Sequence, residues 1–561
     1  MTVETKAQRV ERLKRELNPW EALDELRLYA RRGFDAIPQE WISTYLRWWG
    51  VYTQGDGAGV LGGKGGEGKS APWFMVRIRV TNGLLRSHQL RAIADAAEAY
   101  AGGVADITVR QNVQLHWIPA EALPDLLDTL WTHGLTTMGS CGDDARNITG
   151  CPLAGLDADE ICDASPLAIE ATRSLVGDRE FYNLPRKFKV TITGCRLWCS
   201  YPEINDVGLT AVRDWNGEIG FSLRVGGGLS SEPHLARKLD VFLGWNEVIP
   251  AVRAVAEVFR DAGVLREHRE RARLKYLFLQ HGWTAAEALE AIQARLPFQL
   301  RRGVTEHPPE DVYRDHVGIH AQRQPGYAYV GAAVLRGRML VPQMRAAADA
   351  AERHGSGELR TTIMQNLLVA NVPMERAETV ARDLSAAGLQ TAASPFVRGT
   401  IACTGTQFCK IAITETKTFS RWLVGELDQR LPEYSEQLKI HVTGCPNSCG
   451  QHWIADIGIE GKKIRVGDQL VDAYYFCVGG GLGSEASLAR PVGYRCPASD
   501  VPASIERLLR SFEAGRSGGE TLRQFLGRHS EEEIRALLAG APIVVAVRDE
   551  SPGRVPHGVE G

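Results

Sequence analysis

The sequence predicts an α+β protein made as a pseudo-twofold duplicated chain, each half a ferredoxin-like α+β unit followed by a mixed α/β unit. Three observations carry this. The first is internal repetition: RAIADAAEA at 91 matches RAAADAAER at 345, and RQNVQLHWIP at 110 matches MQNLLVANVP at 364, both 254 residues further on. KVTITGC at 189 and KIHVTGC at 439 lie 250 apart, and RVGGGL at 224 and CVGGGL at 477 lie 253 apart. The second is the order of periodicities within each copy. A strand-like run, MVRIRV (75–80) or YAYVGAAVL (327–335), is followed by a helix-like run and then an alternating strand such as ITVRQNVQLHW, the order of a ferredoxin-like unit. The third is length: at about 150 residues per domain, 561 residues make roughly three or four domains and not one core.

In chain order, residues 1–45 read as an N-terminal helical segment, because MTVETKAQRVERLKREL is charged and amphipathic. Residues 46–134 are the first ferredoxin-like unit. Residues 135–300 are the first mixed unit, with strands, a Gly-Cys turn and a helix, closing in a helical stretch from about 236 to 297 that links the halves. Residues 301–392 repeat the ferredoxin-like unit and 393–545 the mixed unit. The tail 546–561, ending DESPGRVPHGVEG, reads as disordered. Two halves of this kind share a site between them, where each contributes different groups.

The chain is 44% hydrophobic and 24% charged, ordinary for a soluble globular protein. Its net charge of -3 gives no basis for a nucleic-acid or anionic-membrane partner. The N-terminus lacks the apolar core of a signal peptide and no run reaches a membrane span, so a cytoplasmic location is expected. In that setting eleven cysteines favour metal or redox chemistry over a disulfide framework.

Four of these cysteines are the most informative residues. Cys403 and Cys409 in CTGTQFC form a C-x5-C, and Cys445 and Cys449 in GCPNSC a C-x3-C. Four soft thiolates suit a 4Fe-4S cluster, which takes one cysteine per iron. Zinc is the competitor, but its knuckles usually pair cysteines at C-x2-4-C, and the first pair is wide for that. Cysteines filling a core are the plain alternative. Gly444, Pro446 and Asn447 argue instead for a loop with exposed backbone. The repeat aligns Cys151, Cys195 and Cys199 with Cys403, Cys445 and Cys449, but Asp157 stands where Cys409 does. Complete thiolate ligation is the rule for such clusters, so the first-half thiols read as an inert relic of duplication, against a second cluster with a carboxylate ligand.

CTGTQFC and VTGCPNSCG resemble the signature of the sirohaem-containing nitrite and sulfite reductases. TVRQNVQLHW (108–117), DDARNITGCPLAG (143–155), NLPRKFKV (183–190) and ARLKYL (272–277) resemble further segments of that family in the same order, so the resemblance spans nearly the whole chain. It implies a sirohaem between the halves joined to a 4Fe-4S cluster. Cys403, Cys409 and Cys445 would hold irons of the cluster, with Cys449 bridging to the sirohaem iron. It places Arg110, Arg146, Lys187 and Lys189 on the substrate anion. Asn447, Gln114 and His116 join the cysteines among the expected cofactor contacts. The implied reaction is the six-electron reduction of sulfite to sulfide, or of nitrite to ammonia, with ferredoxin or a similar small protein as donor and a monomer as the expected state. Sulfite-reducing members tend to read PRKFK and nitrite-reducing members PRKFN, so Lys189 favours sulfite, whereas DDARNITGCPLAG resembles the nitrite branch.

The chemistry agrees with those residue types. Reducing an oxyanion needs positive charge to hold it and donors to turn its oxygens into water. Arginine offers a fixed fork, lysine a mobile donor of charge and protons. Lys187 and Lys189 are two apart, which on a strand puts both on one face. The repeat sets Arg110 against Met364 and Lys187 against Gln437, so the first half carries charge where the second does not.

Other signals are discounted. GKGGEGKS (63–70) fits a phosphate-loop pattern, yet APWFMVRIRV after it is a strand where a helix is required, so a surface loop is expected. The GGG runs at 226 and 479 lack the spacing of a dinucleotide fingerprint. No nicotinamide or flavin module is visible, so electrons must come from another protein. His320 reads as structural, against a role as proton donor or haem contact, and Tyr52 and Cys141, in segments that approach the haem, read as packed side chains, against a covalent link between them. The rival reading from another class is a non-catalytic iron-sulfur electron carrier or redox sensor. It has no use for the first-half cations or so large a duplicated scaffold.

Overall fold

The computed structural model describes residues 4–59 and 68–540. The tail 546–561 and most of GKGGEGKS lie outside the described residues. The N-terminal segment forms helices Lys6–Glu16 and Pro19–Arg32, each opened by a capping box, at Thr5 and Asn18.

The two ferredoxin-like units exchange strands. One sheet runs Val51–Gly55, Ser70–Ile78, Val113–Ile118, Val104–Ile107 and then Arg338–Leu340, a strand that belongs to the second half. The other runs Gly318–Ala321, Tyr327–Ala332, Leu367–Pro373, Glu358–Thr361 and then Leu84–Arg86 from the first half. Each half thereby covers an edge of the other's sheet, the place where a lone unit would expose unpaired backbone. Helices Ser87–Tyr100 and Val341–His354 pack across the pseudo-twofold. The repeat explains their contact: Arg91 reaches Asp349 at 2.7 Å, and its counterpart Arg345 reaches Asp95 at 2.8 Å. These pairs are partly exposed and worth about 0–1 kcal/mol each. Ala92, Ala96, Ala347 and Ala348 of these helices are buried.

The mixed units hold a four-stranded sheet, Val190–Thr193, Val207–Arg213, Ile219–Val225 and Arg237–Gly244, and a five-stranded one, Thr400–Ala402, Ile440–Thr443, Ile457–Val466, Gln469–Val478 and Arg490–Pro497. Val190–Thr193 pairs in parallel with Val207–Arg213, and Thr400–Ala402, Ile440–Thr443 and Ile457–Val466 are parallel neighbours. The Gly-Cys turns at Cys195 and Cys445 sit at the carboxyl ends of these parallel strands, where α/β sheets bind ligands.

Three expectations change in detail. The linking stretch from about 236 is not helical throughout: Arg237–Gly244 is a strand, because Leu239, Val241 and Leu243 alternate inward, and helices occupy only Val248–Asp261 and Ala285–Gln293 of its longer runs. The run ITVRQNVQLHW is not one strand. Thr108 Oγ1 accepts from the Arg110 and Asn112 amides at 3.3 and 3.1 Å, and Gln111 sits at φ 61°, so a turn carrying Arg110 splits it. After the Gly-Cys turns the chain enters 3-10 turns, Pro202–Ile204 and His452–Ile454, and then strands; the helices Ser165–Leu175 and Lys417–Arg430 come before the turns.

Of GKGGEGKS only Gly68, Lys69 and Ser70 are described. Lys69 is exposed and Ser70 opens the strand Ser70–Ile78, so no helix N-terminus follows to hold a phosphate. Lys69→Ala is therefore expected to leave turnover unchanged and ATP without effect. An ATP affinity removed by that substitution, measured by equilibrium dialysis, would contradict this.

Candidate functional site

Two pairs of repeated residues, Gln111 with Gln365 and Asn112 with Asn366, hold the backbone around the interior. Gln111 and Gln365 are counterparts, at φ 61° each. Gln111 accepts from the Gly150 amide and donates to Thr361 O, both at 3.1 Å; Gln365 accepts from the Ala402 amide at 3.1 Å and donates to Ile107 O at 3.0 Å. Asn112 and Asn366 each accept an amide, from Val80 at 3.2 Å and Val334 at 3.0 Å. The two glutamines stitch the halves together, and the two asparagines brace the backbone within each half. Arg110, where the repeat has Met364, instead points into the space between them.

That space is a cavity of about 450 Å³ lined by groups from both halves. Cys403, Cys409, Cys445, Cys449 and Asn447 come from the second half; Arg110, Arg146, Lys187, Lys189, Gln114 and His116 come from the first. Every sequence-picked site residue therefore meets at one place. A hollow of about 540 Å³ beside Trp245 and Arg253 has no cysteine and is remote from this chemistry.

Cys403 and Cys445 each follow a strand end, which holds their backbone, and Cys409 is fixed by its amide on Gly405 O at 2.9 Å. The Gly444 amide donates to Cys403 Sγ at 3.2 Å, and Asn447 Nδ2 to Cys445 Sγ at 3.6 Å. A Cβ on Gly450 would collide with Val442 O, so only glycine lets the C-x3-C loop lie against the sheet. Burial pushes the Cys409 thiol up to about 12 and raises Cys403 and Cys445 as well. Thiols so disfavoured as free thiolates lose their protons readily only to a metal. Cys449 is the exposed member, open to the cavity.

The cations divide into two kinds. Arg110 is committed to Asn205 Oδ1 and Asn147 O, both at 2.7 Å, while its buried Nε has no partner among the described residues. Arg146 spends its nitrogens on Ser140 O at 3.1 Å and Gly142 O at 2.7 Å. These two are rigid. Lys187 and Lys189 flank Phe188, which is buried in the core, so both reach the cavity, as their spacing predicts. Among the described residues neither ammonium has a hydrogen-bond or ion-pair partner. Burial, then the charges of Arg273, Arg186 and Arg146, pushes Lys187 down to about 7, partly offset by Cys449. Burial likewise drives Lys189 well below its usual value. Two buried, unpartnered amines of this kind are charged most readily when an anion sits beside them.

Gln114 Nε2 contacts Met75 Sδ at 3.4 Å. The His116 ring stacks on Phe408 of CTGTQFC at 3.7 Å and its Nε2 lies 3.5 Å from Asp106, so it packs against the cysteine loop. His320 is structural, bonded to Val317 O at 2.8 Å. Arg77 contacts Cys141 Sγ at 3.1 Å and lies over the Tyr52 ring at 5.9 Å. Arg47, Arg77, Arg186 and Arg273 also line the cavity and were not picked as site residues, although Arg186 and Arg273 fall within PRKFK and ARLKYL. Such a ring of cations fits a macrocycle bearing many carboxylates, and the four thiols fit a 4Fe-4S cluster beside it.

In the first half, Cys151, Cys195 and Cys199 converge, but Asp157, the counterpart of Cys409, is ion-paired with Arg314. The three sulfurs are in near contact, which leaves no room for a cluster.

The chain matches the family described as nitrite and sulphite reductase 4Fe-4S domain over residues 141–300 and 393–542. It matches the nitrite/sulfite reductase ferredoxin-like half domain over 67–130 and 320–387. It is 36% identical to an assimilatory ferredoxin-dependent nitrite reductase of Haloferax mediterranei, covering 91% of this chain and 90% of that one. It is also 36% identical to a sulfite reductase [ferredoxin] of Mycobacterium tuberculosis, covering 94% and 95%. The solved structure of the Mycobacterium tuberculosis NirA protein superposes with a TM-score of 0.88 at 34% identity, covering 94% of this chain and 97% of that one. With the duplicated fold, the four-thiol loop and the cationic cavity in place, the chain belongs to the nitrite and sulphite reductase family, oxidoreductases whose cofactors are sirohaem and a 4Fe-4S cluster.

Proposed function

We propose that this chain is an assimilatory, ferredoxin-dependent reductase whose main substrate is sulfite, taken to sulfide by six electrons, with nitrite to ammonia as the second activity. One observation carries the reading: four thiols of one half and two unpartnered lysines of the other face the same cavity, near enough for Cys449 to influence Lys187. A carrier or sensor has no use for those lysines. When bound, the sirohaem and cluster supply a metal site for the anion and stored electrons.

The protein's own groups then divide the work. Arg110 and Arg146, already held by backbone and amide oxygens, keep fixed positive charge on the cavity wall. Lys187 and Lys189 are free to move to the anion and to yield protons to its oxygens. Two ammoniums favour sulfite, which can carry two negative charges, over nitrite, which carries one. The donor we propose is ferredoxin or another small acidic protein; the cytoplasmic location and monomeric state expected from the sequence complete the proposal. No helix among the described residues is long and apolar enough to cross a membrane.

The test is the purified protein's absorption spectrum with an activity assay. A haem Soret band and reduction of sulfite by an artificial donor are expected. Cluster absorption alone, with adequate sirohaem supply, would leave only the carrier reading.

Lys187 gives a pH signature. Its depressed value means the ammonium is present below about pH 7 and lost above it. An anion favours the ammonium, so binding takes up a proton and weakens as pH rises through that range. Nitrite keeps one charge there and is the clean probe. Its affinity should fall with pH in the parent and be lower and less steep in Lys187→Met, where Lys189 remains; equal slopes in both proteins would remove Lys187 from the anion site.

A further inference from the structure

We infer that Cys151, Cys195 and Cys199 bind a zinc ion at a site of their own, with the buried His316 imidazole as fourth donor. The three thiols are buried and their sulfurs all lie within 4.8 Å of one another. Cys199 Sγ is 3.3 Å from Cys151 Sγ and 3.8 Å from Cys195 Sγ. Zinc–sulfur bonds of about 2.3 Å in a tetrahedron set sulfurs about 3.8 Å apart, so the trio is near the spacing one zinc requires. A four-iron cluster does not fit it. Each thiolate would bind a different iron and stand further from its neighbours, and Asp157, at the fourth position, is engaged by Arg314.

Two further observations point to a ligand. The sulfurs already receive backbone donors, as metal-bound thiolates do: the Leu153 amide on Cys151 Sγ at 3.3 Å, and the Leu197 and Cys199 amides on Cys195. His316, only 4% exposed, finds no hydrogen-bond partner for either ring nitrogen among the described residues, although a buried imidazole usually has one. It lies within electrostatic reach of Cys195, just ahead of strand Gly318–Ala321 of the second half. Its ring nitrogens do not lie within 4.8 Å of all three sulfurs, so a side-chain rotation would have to bring the imidazole to them to complete a site of three thiolates and one imidazole, a donor set common in structural zinc centres. Binding releases the thiol protons and forms no bond among the sulfurs. The ion would brace the first mixed unit against the second ferredoxin-like unit, where Tyr329 and Leu368 pack on the same cysteines.

The experiment uses holoenzyme purified in chelator-free, thiol-reducing buffer with zinc supplied during growth. Metals are counted by plasma mass spectrometry, and zinc X-ray absorption is read on the same sample. The expected result is about one zinc per chain with three sulfur neighbours near 2.3 Å and one nitrogen. Cys195→Ser should lower zinc at least tenfold and leave iron per chain and the haem spectrum as in the parent. Should that variant not fold, the absorption result on the parent decides alone. A parent free of zinc, a disulfide among the three cysteines, zinc with four sulfur neighbours or none, parent-level zinc in Cys195→Ser, or loss of iron with the zinc would each overturn the assignment.

Discussion

Cys449→Ser is expected to remove cluster and haem absorption together and bring sulfite turnover to background. The thiol is the exposed member of the four and faces the same cavity as the cations of the other half, so it is the one placed to serve both metal centres. A serine oxygen is a hard, poorly ionised donor in place of a soft thiolate. The other three cysteines are at least partly buried and their loop is closed by the Gly444 and Asn447 contacts, so the fold itself should survive. Circular dichroism and absorption spectra of the variant check both halves of the statement. Cys195→Ser is the matched comparison, expected to keep iron and haem. A normal cluster and haem in the Cys449 variant would show that this residue is not the bridge.

Lys189→Asn is expected to lower kcat/KM for sulfite by one to two decades and for nitrite by less. The Lys189 side chain reaches the cavity with no partner among the described residues, and its own amide is anchored on Asp206 Oδ2 at 2.9 Å, so the side chain can be exchanged with the backbone in place. A charge-assisted bond of roughly 1.5–3 kcal/mol corresponds to that loss. Asparagine keeps a donor but no charge, so the substrate bearing more negative charge loses more. Both substrates should be measured with one artificial electron donor. An equal loss, or a larger one for nitrite, would show that Lys189 does not set the preference.

Much of this protein was legible without its structure because the informative features are local. The spacing C-x5-C and C-x3-C, the glycines that let those loops turn, and the repeat at about 250 residues are all properties of short segments. The repeat also marked part of the scaffold: Gln111 and Gln365 recur because the same stitching bond is needed twice, whereas Arg110 and Lys187 face the shared cavity without a like counterpart. Periodicity misled where short-range bonding overrode it, as when Thr108 turned an apparent single strand into two.

The sequence by itself determined the duplication and the C-x5-C and C-x3-C pattern, which rest on residue type and spacing, and its family resemblance singled out the cationic residues. Only the tertiary structure decided that the halves exchange edge strands, that Arg47, Arg77, Arg186 and Arg273 join the cavity, and that Cys151, Cys195 and Cys199 meet with Asp157 tied to Arg314. The reason is physical: residues as distant in the chain as Asp157 and Arg314 become neighbours only when hydrophobic packing and backbone pairing close the chain on itself, and burial then sets the charge state of groups such as Lys187.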